Sequence, residues 1–204
     1  MDSRLPAAFY QRADVVGIAR ELIGKKLVSQ IGGRRTAGII VETEAYAGEQ
    51  DKASHAYNAR RTKRTSVMYG PGGLAYVYLC YGIHHLFNIV VNLEDIPHAI
   101  LVRALEPAEG MEDMMQRCGK TKVTPALTAG PGCLTRALGI TVAHSGADLV
   151  SGTDIWIEEN GLAVSRRQII AGTRVGVAYA GEDALRPYRF SLKGNPYVSK
   201  GRGL

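Results

Sequence analysis

Along this chain β-rich runs follow one another across tight turns, with little helix between them. KKLVSQ (25–30) and TAGIIVETEAY (36–46) are joined across Ile31-Gly32-Gly33-Arg34, a hairpin signal. LAYVYLCYG and HLFNIVVNL (85–93) meet at a turn around Gly82, and HAILVRAL (98–105) is a further β-rich run. DIWIE (154–158), TRVGVAY (173–179) and RPYRFSLKG (186–194) carry the pattern into the C-terminal third. Helical spacing is rarer. Val15, Ile18, Ala19, Leu22 and Ile23 recur behind an Asp14 cap with Gly24 as a stop, and shorter helices are predicted from about Pro107 to Cys118 and around Cys133–Leu138. Strands adjacent in sequence with few helices predict an α+β fold. The expectation is a single domain over residues 1–204, with a curved, mainly antiparallel β-sheet core flanked by a few helices. At 204 residues and 46% hydrophobic content the chain can bury one sizeable core.

Charge and cysteine content narrow the partners. A formal net charge of +6 favours an anionic partner without naming it: nucleic acid, an anionic membrane and acidic metabolites all fit. Cys80, Cys118 and Cys133 are odd in number and show no CxxC pairing, so neither a disulfide framework nor a zinc site is signalled, and a reducing cytosol is the natural compartment. The first residues, MDSRLPAAFYQRADVV, contain no apolar signal-peptide core. No apolar run approaches the ~20 residues of a membrane span. Residues 47–66 have neither helical nor strand period and place Lys52, Arg60, Arg61, Lys63 and Arg64 among small residues. Loops of ~15 residues or more are usually functional or disordered.

Two stretches suggest chemistry. In VETEAY (41–46), Val41, Thr43 and Ala45 fall on one strand face, and Glu42, Glu44 and Tyr46 on the other. A solvated face explains this most simply. The two carboxylates, roughly 6.5–7 Å apart along the strand, could also act together or separately. AYVYLCYGIHH (75–85) holds three tyrosines and two histidines. Tyr76 and Tyr78 share a face, while Tyr81 abuts Gly82 at the turn, where a large ring has little core to enter. A basic loop, a projecting aromatic ring and acidic residues on a strand suit chemistry on a nucleobase taken out of its stack. The His and paired Cys ligands of zinc deaminases are missing, so deamination is disfavoured, and no metal or other cofactor is implied.

VETEAY (41–46), ASH (53–55), AYVYLCYG (75–82), FNI (87–89), LVRALEP (101–107) and RVGVAYAGE (174–182) stand in the order and approximate spacing of the alkyladenine, or 3-methyladenine, DNA glycosylase family, which this chain resembles up to NPYVS (195–199). The resemblance implies a monofunctional enzyme that flips an alkylated purine out of double-stranded DNA and hydrolyses its N-glycosidic bond, initiating base excision repair. It also implies the roles. Glu44 matches the residue that deprotonates the attacking water, and Arg103 and the Val175 carbonyl match groups that help hold it. Tyr46, His55 and Tyr78 match the rings that sandwich the base, with Met68 near the pocket. Asn88 matches an asparagine that screens normal purines, and Tyr81 the residue wedged into the duplex. A 3- or 7-methylpurine carries positive charge, so it leaves readily and is attracted by aromatic faces. One ionised glutamate then suffices. Hypoxanthine and etheno-adenine are harder substrates because no general acid stands out to protonate them. The stretch IHHLF (83–87) and the length of PGGLAY depart from animal members and leave lesion preference open. The absence of a long N-terminal extension fits a compact, cytoplasmic bacterial enzyme acting as a monomer.

Plainer alternatives stand beside these roles. Glu42 reads as structural or solvated, His55 alone as an ordinary satisfied histidine, and Arg103 as a strand arginine pairing with Glu42. His84 and His85 point to opposite faces and are no metal pair. Arg60, Arg61, Lys63 and Arg64 form either a solvated run or phosphate contacts. The main rival function is a non-catalytic module that binds damaged or distorted nucleic acid. A lyase would need a lysine amine in the pocket, and no matched pocket position is lysine. A phosphate nest at GPGG (70–73) lacks the Lys-Ser/Thr partner of a P-loop.

Overall fold

Gly32 and Gly33 both take left-handed backbone values (φ 62° and 72°), which a two-residue hairpin turn requires and glycine permits. They fold β1 (Lys26–Ile31) back on β2 (Arg34–Tyr46), as the sequence predicts. The structure is a computed structural model and describes residues 3–161, 163–201 and 203. Further along the chain come β3 (Ala75–Cys80), β4 (His84–Val91), β5 (His98–Glu109), β6 (Ile155–Glu158), β7 (Ile169–Gly172) and β8 (Arg189–Leu192). The helices are α1 (Ala7–Tyr10), α2 (Val15–Glu21), α3 (Met111–Cys118) and α4 (Pro131–Leu138). The sheet runs β3-β4-β5-β2-β1-β6, and its named ladders are all antiparallel. The long strand β2 is shared. Its first half pairs β1, while Glu42 to Glu44 pair β8, which in turn pairs β7. The α+β class and the curled antiparallel sheet agree with expectation.

The two faces of the sheet have different work. One face carries Ala45, Val77, Phe87, Ile89, Ile100 and Val102 into the main core, with Ile18 and Leu22 of the N-terminal helical region and Leu134 and Leu138 of α4. Fully burying side chains of this size contributes about 1.5–3 kcal/mol each, which anchors the strands. Asp14 caps α2 by accepting the Gly17 N–H, and Thr43 donates to the Ala19 carbonyl, tying that helix to β2. The opposite face of the same strands is therefore free to carry polar and aromatic groups.

Two sequence expectations need correction. The helix predicted from about Pro107 begins only at Met111, because β5 continues its ladder with β2 as far as Ala37 opposite Glu109 and ends at Gly110 (φ 68°). TRVGVAY (173–179) is not a strand. The strand lies just before it, at β7, and a 3₁₀ stretch follows over Ala178–Leu185. The apolar alternation there is spent on an irregular segment in which Arg174 turns inward and Gly176 takes φ 75°. GPGG packs rather than cradles: a Cβ on Gly72 would come within 2.7 Å of the Asn92 and Tyr10 carbonyl oxygens.

Candidate active site

Strand alternation delivers the site. Across the β2–β5 ladder Glu44 pairs with Leu101, across β4–β5 Asn88 pairs with Leu101, and across β3–β4 Tyr76 pairs with Asn88 and Tyr78 with Leu86. Directly paired residues share a face, so Glu44, Leu101, Asn88, Leu86, Tyr76 and Tyr78 all lie opposite the main core. The β2–β5 ladder slips on both sides of Glu42, leaving Arg103 without a direct partner. Such irregularities re-aim side chains. Arg103 turns onto the two glutamates.

Above this face is a cleft of about 620 Å³, walled by Tyr46, His55, Met68, Tyr76, Tyr78, Asn88, Arg103, Val175 and others. The residues expected around a pocket are thus brought together. Tyr81 lies at its mouth, 93% exposed, and Tyr179 stands nearby, 71% exposed. His55 meets Tyr78 edge-on, centroids 4.6 Å apart, and its Nδ1 lies 2.8 Å from the Tyr76 hydroxyl oxygen. Burial, with Arg64 and Arg60 adding to it, holds the imidazole down to about 4, so it is neutral at neutral pH. Burial likewise raises Tyr78, and brings Tyr76 up to about 12. The Asn88 amide donates to the Tyr76 carbonyl at 3.1 Å, which fixes its orientation on the wall.

Beneath the wall the two glutamates differ in what they accept. Both are fully buried, which rules out a solvated face. Glu42 accepts four hydrogen bonds: Arg103 Nε (3.0 Å), Arg189 Nε (2.6 Å) and Ser199 Oγ (3.0 Å) reach Oε1, and the Ser199 N–H (2.8 Å) reaches Oε2. Glu44 accepts two hydrogen bonds, the Val175 N–H (2.8 Å) on Oε1 and the Tyr46 hydroxyl (2.8 Å) on Oε2, and Arg103 Nη1 makes an ion pair with Oε1 at 3.3 Å. A carboxylate has about four lone-pair sites. Glu44 therefore keeps acceptor capacity, and Val175, Tyr46 and Arg103 all belong to the cleft wall. Burial, reinforced by the Glu44 charge, raises Tyr46 well above its ordinary value, so it stays a donor. For Arg103, burial acts downward, but Glu44 and Glu42 outweigh it and the guanidinium remains charged.

The basic loop is not uniform. Arg60, Lys63 and Arg64 are exposed, with the Arg64 guanidinium 6.0 Å over the Tyr78 ring, whereas Arg61 pairs with Asp95 at 2.6 Å and covers Tyr69. Sequence reasoning missed Arg174, Asp51, Arg189 and Ser199. Arg174 sits inside a block already noted for its order, but an arginine between apolar residues reads equally as a surface strand position. His84 lies on the cleft wall, while His85 turns away to accept the Val142 N–H. Among the described residues no group of His, Cys, Asp and Glu could hold a metal ion, and no helix is long and apolar enough to cross a membrane.

Comparison with known proteins adds to this geometry. The family model described as methylpurine-DNA glycosylase matches residues 8–196. A Bacillus cereus (strain AH820) protein named "Putative 3-methyladenine DNA glycosylase" is 45% identical over 203 residues, covering 96% of this chain and 98% of its own. A Bacillus mycoides (strain KBAB4) protein of the same name is 46% identical over the same span.

Proposed function

The chain belongs to the methylpurine-DNA glycosylase family, and on that premise we propose that it excises alkylated purines, 3-methyladenine and 7-methylguanine foremost, by Glu44-assisted hydrolysis of the N-glycosidic bond. As a DNA glycosylase it acts in DNA repair, and its substrate is DNA. In the proposed course Tyr81 enters the gap left in the duplex, and the flipped base lodges among Tyr46, His55 and Tyr78. Glu44 accepts a proton from a water held with the help of Arg103 and the Val175 carbonyl. The sugar develops positive charge as the base departs, and an ionised carboxylate stabilises it. Unit positive charge on the methylated base makes departure feasible without a general acid. A neutral His55 adds no repulsion toward that cation. Asn88, held by its backbone contacts, screens unmodified purines. Hypoxanthine and etheno-adenine follow as slower substrates.

The observation that carries this reading is the contrast between Glu42, which accepts four hydrogen bonds from within the fold, and Glu44, which accepts two, both from residues of the cleft wall. A carboxylate kept only for structure needs no acceptor capacity left toward a cleft. No lysine among the described residues lines the cleft, which supports a monofunctional enzyme over a lyase.

The deciding experiment compares the unsubstituted protein with Glu44→Gln on methylated DNA and on a duplex with one hypoxanthine. Free methylated base is expected from the unsubstituted protein, and a loss of at least about 100-fold from the variant with duplex binding retained. Tight binding without base release by either protein would favour the non-catalytic binding module. A covalent adduct trapped by borohydride would favour the lyase.

A further inference from the structure

If Glu44 works only at one position, the groups that hold it must themselves be held. Arg174 is almost fully buried, at 1% exposure, and is not part of the cleft wall. Its fork meets Asp51 twice, Nη1 to Oδ2 at 2.5 Å and Nη2 to Oδ1 at 2.9 Å. Nη1 also donates to the carbonyl of Ala45, the residue between Glu44 and Tyr46, at 2.9 Å, and Nη2 donates to the Asp183 carbonyl at 3.0 Å. The guanidinium lies over the Tyr46 ring at 4.9 Å and the Tyr188 ring at 5.4 Å. Asp51 in turn accepts the N–H groups of Ala47 and Ala53, each at 3.0 Å, at the start of the loop that carries His55.

These contacts converge on both arms of Glu44. The residue after Arg174 supplies the Val175 N–H to Oε1, and the ring stacked under Arg174 supplies the Tyr46 hydroxyl to Oε2. Resting on the glycosylase reading above, we infer that Arg174, clamped by Asp51, is a positioning residue for the reaction. It sets the two groups that aim Glu44 without touching substrate. A lysine could supply the charge but neither the paired donors nor the flat stacking surface. Stability alone is a poor account, since buried ion pairs are weak evidence for it and the buried Arg174 Nε has no hydrogen-bond partner among the described residues.

The test uses the full chain with two changes: Arg174→Lys, and the charge-neutral pair Arg174→Met with Asp51→Asn. Thermal unfolding establishes that each folds. Affinity for a duplex carrying one alkylated purine and the single-turnover rate of base release are then measured separately. Affinity is expected to stay within about threefold while the rate falls about 100-fold in the double variant and at least tenfold in Arg174→Lys. A folded double variant releasing base at the unsubstituted rate overturns the inference, as does parallel loss of affinity and rate. If the double variant does not unfold cooperatively, Arg174→Lys decides by the same two readings. Absence of base release from the unsubstituted protein sinks the glycosylase reading itself, and is distinguished by that control from failure of the Arg174 assignment alone.

Discussion

His55 carries a charge state that its neighbours, not its own chemistry, decide. Its ordinary value is 6.5, and burial, helped by Arg64 and Arg60, lowers it to about 4 in the folded protein. Between these values the unfolded chain binds a proton that the folded chain refuses, so stability falls as pH drops through the window and stops falling below about 4. From pH 7.5 to pH 5 this one group should remove about 2 kcal/mol. His55→Gln keeps a polar partner for the Tyr76 hydroxyl and cannot titrate. Urea unfolding at both pH values should show a smaller acid loss in the variant. Equal losses would mean that the imidazole is solvated in the folded state.

The β3–β4 hairpin holds its most exposed ring in a conformation that rings avoid. Tyr81 has φ 51° and Gly82 φ 74°, the Ile83 N–H donates to the Cys80 carbonyl at 3.1 Å, and the ladder resumes with Cys80 opposite His84. Positive φ at both turn positions favours Asn-Gly, so a tyrosine there is strained without any packing to offset it. Tyr81→Asn should therefore leave the melting temperature unchanged or higher, while weakening lesion-duplex binding by about 1–3 kcal/mol, as lost stacking does elsewhere. A lower melting temperature with unchanged binding would assign Tyr81 to the fold instead. The turn was legible because Gly82 and the parity of the tyrosines are local signals. So was the glutamate face, since period two needs only one strand. What stayed hidden depends on distant partners. The extension of β5 to Glu109 is dictated by β2, the irregular path of 173–177 by Arg174 meeting Asp51, and the difference between Glu42 and Glu44 by Arg189 and Ser199 far along the chain.

At the scale of the molecule, the net charge of +6 is unevenly committed. On the β1–β2 hairpin the cations are matched: Lys26 and Arg35 share Glu109 and Glu158, Lys25 meets Glu159, and Arg34 meets Asp113. Arg60, Lys63 and Arg64 form no ion pair with the described residues, and Arg64 is part of the cleft wall. Uncompensated cations therefore lie beside the mouth from which Tyr81 projects. A duplex seated there would release about 0.9 counterion per phosphate contact, so the slope of log affinity against log salt counts the contacts. Replacing Arg60, Lys63 and Arg64 together by Gln should reduce the slope by about two to three. Arg35→Gln, which removes a single charge already matched within the fold, should leave it nearly unchanged. Equal slopes for the triple variant and the unsubstituted protein would move the phosphate track to another face, because an exposed cation that releases no counterion from the duplex is not touching its backbone.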